Sequence, residues 1–440
     1  MITNSRSDNV NTRNLVVDIL LAVTRDGAFS HIAIRDVLDK YRYLPKQDRA
    51  FITRLSQGTI ERMIELDAII NQFSKTKVKK MKPVIAAILR SGVYQLKYMD
   101  SVPDSAACNE AVKLTVKRGF GGLKGFVNGV MRTIARNMDQ IRYPDAEKEP
   151  VRYLSVKYSI PEWLVQRFTE QYGAEACERS LAAYLMPHPT SVQVDTDRSS
   201  VEEIIASLEQ QGITVRRNEQ VERALFLSGY EALDEIEEFE NGLLYVQDTA
   251  SMLAVELAAP KQGDHVIDVC AAPGGKSIHL AEMLDGTGSV ESRDLTGYKT
   301  GLIEENISRY QIKNMTTKVW DATVPDESAE DTADVLVADL PCSGLGVLRK
   351  KTDIRYKMSR GQQEELEALQ RRILDTVCSY VKKDGIMVYS TCTINPGENQ
   401  ENVAWFLGKH PEFELLDMEQ IYPGTQVGDG FFYARLRRIS

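Results

Sequence analysis

No apolar run in this sequence approaches the roughly 18 residues that a membrane-spanning helix needs, and its first twenty residues lack the apolar core of a secretory signal. Cysteine is sparse. The six residues, at positions 108, 177, 270, 342, 378 and 392, form no Cys-x-x-Cys pair and no Cys/His cluster, which argues against both a disulfide scaffold and a zinc site. Reduced thiols, no metal, no membrane and a cytoplasmic location are the expectation. Two phosphate-binding fingerprints are also missing. Gly275-Lys-Ser277 lacks the glycine that a P-loop places five residues before Gly275, because Cys270 stands there, and no Gly-x-Gly-x-x-Gly is present.

What is present is ordinary for a globular protein: 440 residues, 43% apolar and 27% charged, enough for two to three domains. The net charge of −9 speaks against nucleic acid until it is divided along the chain. Residues 1–140 hold 23 Lys and Arg against 13 Asp and Glu, a balance of +10, and the remainder stands at −19. A basic module joined to an acidic one fits RNA contact by the first part. A lysine-rich solvated surface fits the count equally well.

Periodicity divides the chain in three. From Arg13 to about Ala135 apolar residues recur at helical spacing, as in Val16, Ile19, Leu20 and Val23 or Ile85, Ile88, Leu89, Val93 and Leu96, which predicts an all-α domain over residues 1–140. Pro45, Lys82-Pro83 and Val102-Pro-Asp104 mark helix boundaries. The lysines at 75, 77, 79, 80 and 82 could grip phosphates, although such runs are more often solvated faces. A polar stretch at 136–155 reads as a linker. Within 141–242, a helical pattern (Trp163, Leu164, Phe168, Tyr172) precedes short strand-like runs at 191–194, 212–215 and 224–227. This is a small α+β connector without the aromatic motifs that stack RNA bases. In the last domain, 243–440, apolar strands near Val266, Val290, Lys318, Val335 and Met387 alternate with amphipathic helices such as the one through Leu366, Leu369, Ile373, Val377, Tyr380 and Val381. That alternation predicts a doubly wound, Rossmann-like α/β sheet.

The chemistry collects where those strands end. Val335-Leu-Val-Ala338 reads as a strand buried on both faces, and Pro341 stops it. Asp339 and Cys342 therefore pass into a loop at its carboxyl end, the edge at which open parallel sheets bind ligands. Gly385-Ile-Met-Val-Tyr-Ser-Thr391 ends likewise and delivers Cys392. A single cysteine at a strand end is more often a small buried hydrophobe than a nucleophile, but its pairing with Asp339 strengthens the reactive reading. Asp268-Val-Cys-Ala-Ala-Pro-Gly-Gly-Lys-Ser277 joins the first strand of the sheet to its first helix. Its glycines let backbone approach a ligand, and the helix start offers free N–H groups. A phosphate-free, carboxylate-ended ligand fits this loop.

Asp339-x-Pro-Cys342 followed by Ser390-Thr-Cys392 resembles the RNA cytosine-5 methyltransferases, and the 268–277 loop is similar to their S-adenosylmethionine loop. The resemblance implies S-adenosylmethionine as cofactor, held by Cys270, Ala271, Ala272, Pro273, Gly274, Gly275, Lys276, Asp294, Asp321 and Asp339, with Asp294 on the ribose and Asp321 near the adenine. It implies Cys392 as nucleophile, Asp339 as the group that hydrogen-bonds the base, and Cys342 as the residue that helps release the product. A carboxyl in that role must hold or share a proton, which a buried strand end favours. Ser292-Arg-Asp294 departs from the family's commoner small-x-Asp by carrying Arg293 at the second strand end.

Residues 13–135 resemble the NusB family through Asp48-Arg-Ala-Phe51, Leu89-Arg-Ser-Gly92, Asn109-Glu-Ala-Val-Lys113 and Phe126-Val-Asn128, which implies a helical RNA-binding accessory domain. In the methyltransferases the connector is similar to an RNA-recognition fold. With Gly428-Asp-Gly-Phe-Phe-Tyr-Ala434 as closing hairpin, the whole chain resembles the bacterial 16S ribosomal RNA cytosine-5 methyltransferases of the RsmB/NOP family. That implies 16S ribosomal RNA as partner, and a monomer is expected. A transfer-RNA cytosine-5 methyltransferase is the alternative within the class, disfavoured by the NusB-like part. A non-catalytic RNA-binding assembly or antitermination factor is the alternative outside it, disfavoured by two retained cysteines, Asp339 and an intact loop.

Overall fold

The computed structural model describes residues 10–186, 189–425 and 428–440, so residues 1–9 of the polar opening stretch lie outside it. The chain divides into two compact units. In the first, helix Thr12–Thr24 begins where the Asn11 side chain accepts the Asn14 N–H, satisfying a donor that has no partner inside the helix. Pro83 opens helix Pro83–Tyr98, where its missing N–H costs nothing. The stripes Val16, Ile19 and Leu20 and Ile85, Ile88, Leu89 and Val93 meet Ile52 and Leu55 of helix Lys46–Glu61 and Val127, Met131 and Ile134 of helix Lys124–Arg136 in one apolar core.

The stretch read as a linker at 136–155 is partly structured. It holds a 3₁₀ turn at Met138–Gln140 and runs into helix Pro150–Tyr158. That helix, with Glu162–Tyr172 and Ala174–Ala183, belongs to the first unit, which extends to Leu185. The same unit takes in Leu348–Lys357. Tyr356 Oη donates to the Glu61 carbonyl at 3.1 Å and Lys357 Nζ to the Ala28 carbonyl at 2.6 Å, while Lys357 also pairs with the buried Asp353 at 2.8 Å. No helix of the described residues is long and apolar enough to cross a membrane.

The second unit carries two sheets. The strands β1 (Thr190–Val194), β2 (Thr214–Arg217), β3 (Ala224–Ser228) and β4 (Leu244–Val246) pair antiparallel in the order β2-β3-β1-β4. Helix Val201–Gln210, opened by a reciprocal Ser200/Glu203 cap, lays Ile204 and Leu208 against Val192, Val194, Leu225 and Leu227.

The larger sheet contains β5 (His265–Asp268), β6 (Ser289–Asp294), β7 (Met315–Val319), β8 (Ala333–Asp339), β9 (Val381–Thr391), β10 (Phe413–Ile421) and β11 (Phe431–Arg438), in the order β10-β11-β9-β8-β5-β6-β7. β5 to β9 run parallel, and the β10–β11 hairpin adds antiparallel to β9. The apolar run in β8 has a direct cause. Leu336 and Ala338 enter one core with Ile373, Met387, Tyr389 and Phe432, and Val335 and Val337 enter the opposite one with Val266, Ile278 and Val290. Helix Arg360–Val377 covers the first face and stops earlier than its periodicity suggested. Tyr380 falls in a 3₁₀ turn and Val381 opens β9, where it pairs with Ala333. β5 lies between β6 and β8, so the winding reverses there, and a crevice opens at the carboxyl ends of the strands.

Candidate active site

The cleft at that edge encloses about 280 Å³, and its lining includes Asp248, Asp268, Cys270 to Pro273, Gly275, Lys276, Asp339, Cys392, Asp429 and Phe431. The turn after β5 is built by backbone. Ala271 N–H donates to the Arg293 carbonyl at 2.8 Å and Gly274 N–H to the Ala271 carbonyl at 2.7 Å. Gly274 has φ +107°, and a Cβ there would stand 3.2 Å from Ile303 Cγ2, so the position suits glycine alone. Helix Gly275–Met283 starts at this turn and aims Lys276 into the cleft.

Three of the expected cofactor contacts, Gly274, Asp294 and Asp321, are not part of the lining. Asp294, at the end of β6, accepts the Ala272 N–H at 3.0 Å and the Leu295 N–H at 2.7 Å and pairs with Lys299 at 2.9 Å, which ties it to the loop backbone. Asp321 sits beyond β7, exposed, accepting both the N–H and the hydroxyl of Thr323. Arg293 is buried between Glu291 at 2.7 Å and Asp326 at 3.0 Å, and is not part of the lining.

Charge fits the cleft to a cationic ligand. Four carboxylates, Asp248, Asp268, Asp339 and Asp429, face one ammonium, Lys276. Asp268 is fully buried. Ser277 donates to its Oδ2 at 2.7 Å, and Oδ1 has no hydrogen-bond partner among the described residues. Burial raises its carboxyl to about 7, partly opposed by the Ser277 bond. An unsatisfied buried acceptor in an acidic lining suits a molecule that carries an ammonium and a sulfonium, as S-adenosylmethionine does, and does not suit a phosphate. Cys270 is no nucleophile here, because burial, and then Asp268 and Asp294, push its thiol well up.

β8 and β9 are neighbours with Asp339 opposite Ser390, so the loops that follow them run side by side. Cys342 Sγ and Cys392 Sγ lie 3.2 Å apart. The hydrogen bond with Cys392, reinforced by burial, holds the Cys342 thiol well above its ordinary value, so Cys342 keeps its proton. Asp339, expected to hold or share a proton, has an ammonium as its neighbour. It is partly exposed and ion-paired, with Lys276 Nζ at 2.7 Å on Oδ2 and the Ser390 hydroxyl at 2.8 Å on Oδ1. Burial works against the charge on Lys276, but Asp339 outweighs it and the ammonium is held above its ordinary value. Lys276 can thus supply a proton at this strand end.

A buried polar network locks the two cysteine loops together. Gly346 N–H donates to the Cys392 carbonyl at 3.0 Å, Ser343 N–H to Glu398 Oε2 at 2.8 Å, and Thr391 Oγ1 to Asn399 Oδ1 at 2.6 Å. Glu398 is fully buried, and burial raises its carboxyl. Sequence reasoning missed Asp248, Asp429, Phe431, Ser390 and Glu398. Asp248 carried a weak signal as the cap of helix Thr249–Ala258, and Asp429 and Phe431 lay in the closing hairpin without an assigned role.

Three family models match the chain: the 16S rRNA methyltransferase RsmB/F at residues 255–437, the NusB family at 10–136, and the ferredoxin-like domain of RsmF/B-like methyltransferases at 160–233. The chain is similar to the probable ribosomal RNA small subunit methyltransferase B of Bacillus subtilis, 35% identical over 97% of this chain and 98% of that one. The protein of the same name from Synechocystis is 30% identical over 98% and 100% of the two chains. Among solved structures, "Crystal Structure of PH0851" superposes with a TM-score of 0.82 at 26% identity, covering 98% of this chain and all of that one. NSun6 from Pyrococcus horikoshii, solved with SFG, shares the fold at a TM-score of 0.59 and 22% identity, over 64% of this chain and 98% of its own.

Proposed function

This chain belongs to the RsmB/F family of 16S rRNA methyltransferases, with S-adenosylmethionine as methyl donor, and from that premise we propose that it methylates carbon 5 of a cytosine in 16S ribosomal RNA through a covalent bond to Cys392. Residues 243–440 carry the chemistry in this reading, and the NusB-like residues 1–140 and the connector 141–242 serve the RNA.

When bound, S-adenosylmethionine supplies an electrophilic methyl group. Carbon 5 of cytosine is a poor nucleophile, so the enzyme must first break the aromaticity of the ring. The Cys392 sulfur adds at carbon 6, and the electron pair of the 5,6 double bond becomes enamine-like at carbon 5. Lys276 and Asp339, joined at 2.7 Å, hydrogen-bond the pyrimidine edge and hold the proton it needs as negative charge builds on the ring. After methylation the carbon 5 proton passes to water, its electron pair re-forms the 5,6 double bond, and Cys392 leaves carbon 6 as a thiolate that the Cys342 thiol stabilises by donating to it. A base inside an RNA helix must be unstacked to reach this cleft.

The observation that carries the reading is the pair of sulfurs at 3.2 Å, a contact that with burial holds the Cys342 thiol above its ordinary value. A thiol pointing its proton at Cys392 stabilises negative charge on that sulfur during attack and departure. Bisulfite sequencing of 16S ribosomal RNA tests the reading: one cytosine protected in the parent strain should become convertible when the gene is deleted. An unchanged protection pattern would refute it.

A further inference from the structure

The lysine run at 75–82 has no part in the chemistry, yet one of its members faces a second cavity. This cavity, of about 550 Å³, lies in the first unit, against helix Met63–Phe73. Its lining has three cations, Lys77, Arg142 and Arg152, the last paired with Glu149 at 2.7 Å, and one anion, Asp67. Asp67 is neutralised, because Arg90 donates to both of its oxygens at 2.7 Å.

Two consecutive amides of the helix hold the basic segments in place. Asn71 Oδ1 accepts the Val78 N–H at 2.8 Å, and the Asn71 carbonyl accepts Lys77 Nζ at 2.9 Å. Gln72 exchanges a pair of bonds with the Arg142 backbone, accepting its N–H at 2.9 Å and donating to its carbonyl at 2.8 Å. These bonds fix the main chain at Arg142 and at the Val78–Lys80 turn, and leave the side chains of Lys79, Lys80 and Arg142 exposed. A merely solvated face needs no such frame. Cations ordered in advance lose less conformational entropy when they meet a polyanion.

We propose that this cavity is a docking site for the phosphodiester backbone of the RNA substrate, with Lys77 and Arg142 on phosphates. It rests on the ribosomal RNA reading above and adds the surface by which that RNA is held. The basic balance of the first 140 residues provides the attraction at longer range. The contacts are to the backbone, so the site should be indifferent to base sequence.

The test is fluorescence anisotropy of the full chain with a short labelled single-stranded RNA across a salt series. Lys77→Gln combined with Arg142→Gln should raise Kd roughly tenfold at low salt and make the slope of log Kd against log salt shallower by about two. Arg142→Lys, which keeps the charge, should stay within about twofold of the parent protein. A control that removes equal charge from the same unit, Lys113→Gln with Lys148→Gln, should leave affinity and slope near the parent values. Far-ultraviolet circular dichroism and thermal melts of the full chain should match the parent in every variant, which establishes that the helical unit is folded, and calorimetry with S-adenosylmethionine should be unchanged. Parental RNA affinity in the Lys77/Arg142 variant, or an equal loss in the control, overturns the site. A parent chain that binds S-adenosylmethionine but no RNA overturns the ribosomal RNA reading instead, and this site with it.

Discussion

Cys342 Sγ stands 3.2 Å from Cys392 Sγ, although fifty residues separate them in the chain. Adjacent parallel strands deliver the two thiols side by side, and their mutual contact, with burial, holds the Cys342 thiol above its ordinary value. The arrangement gives the two sulfurs unequal parts. One can bond to the base, and the other can help to undo that bond.

The two cysteines should therefore fail differently. Cys392→Ala should abolish methylation and form no RNA adduct, because no sulfur attacks carbon 6. Cys342→Ala should be slow but should accumulate a covalent protein–RNA complex with S-adenosylmethionine present, seen as a shifted band on a denaturing gel. A band in Cys392→Ala and none in Cys342→Ala would reverse the roles.

Asp268 should make cofactor binding depend on pH. Burial raises its carboxyl to about 7, so the folded protein holds this proton more tightly than the unfolded chain does. Its stabilising contribution is complete below about pH 4 and is lost as pH rises through 7. A cationic ligand favours the ionised form, so S-adenosylmethionine binding should release a proton. Its Kd should fall by up to tenfold per unit between about pH 5 and 7 and then level off. Calorimetry should find this slope in the parent and a flat profile in Asp268→Asn. A slope that survives in the variant assigns the proton to another group.

Gly346 is needed for close packing of backbone. A Cβ there would lie 1.8 Å from the Gly430 carbonyl oxygen and 2.8 Å from that of Cys392, and neither main chain can yield without moving a cysteine loop or the closing hairpin. Gly346→Ala should cost about 2 kcal/mol or more in urea unfolding and lower the methylation rate at least tenfold. Gly361→Ala, with nothing within 4 Å and in the first turn of a helix, should be neutral or slightly stabilising. Equal effects of the two would refute the packing argument.

Glu398 should act as a positioning residue. Alanine leaves the buried Ser343 N–H and the Asn395 amide short of an acceptor, at a cost of about 2 kcal/mol. Glutamine keeps one oxygen and should lose less than half as much in thermal melts. Both variants should bind S-adenosylmethionine normally while their single-turnover rate falls, alanine's further. Parental rates in Glu398→Ala would remove Glu398 from this role.

Much of this was legible because it is locally encoded. The apolar positions 335–338 all had to be buried, which only a central strand between two cores allows. Gly274 needs a positive φ, and the helical stripes from Val16 to Val93 repeat within single elements. The two cysteine motifs and the 268–277 loop were recognisable because each is a short contiguous string. The remaining features depend on which strands become neighbours and where connections pack, and no local pattern records that. Only the tertiary structure turned Lys276 onto Asp339, brought Asp248 and Asp429, distant in the chain, to one cleft, and gave Leu348–Lys357 to the helical unit. A sequence names the groups able to react. Which of them carries the proton depends on distances of about 3 Å set by strands far apart in the chain.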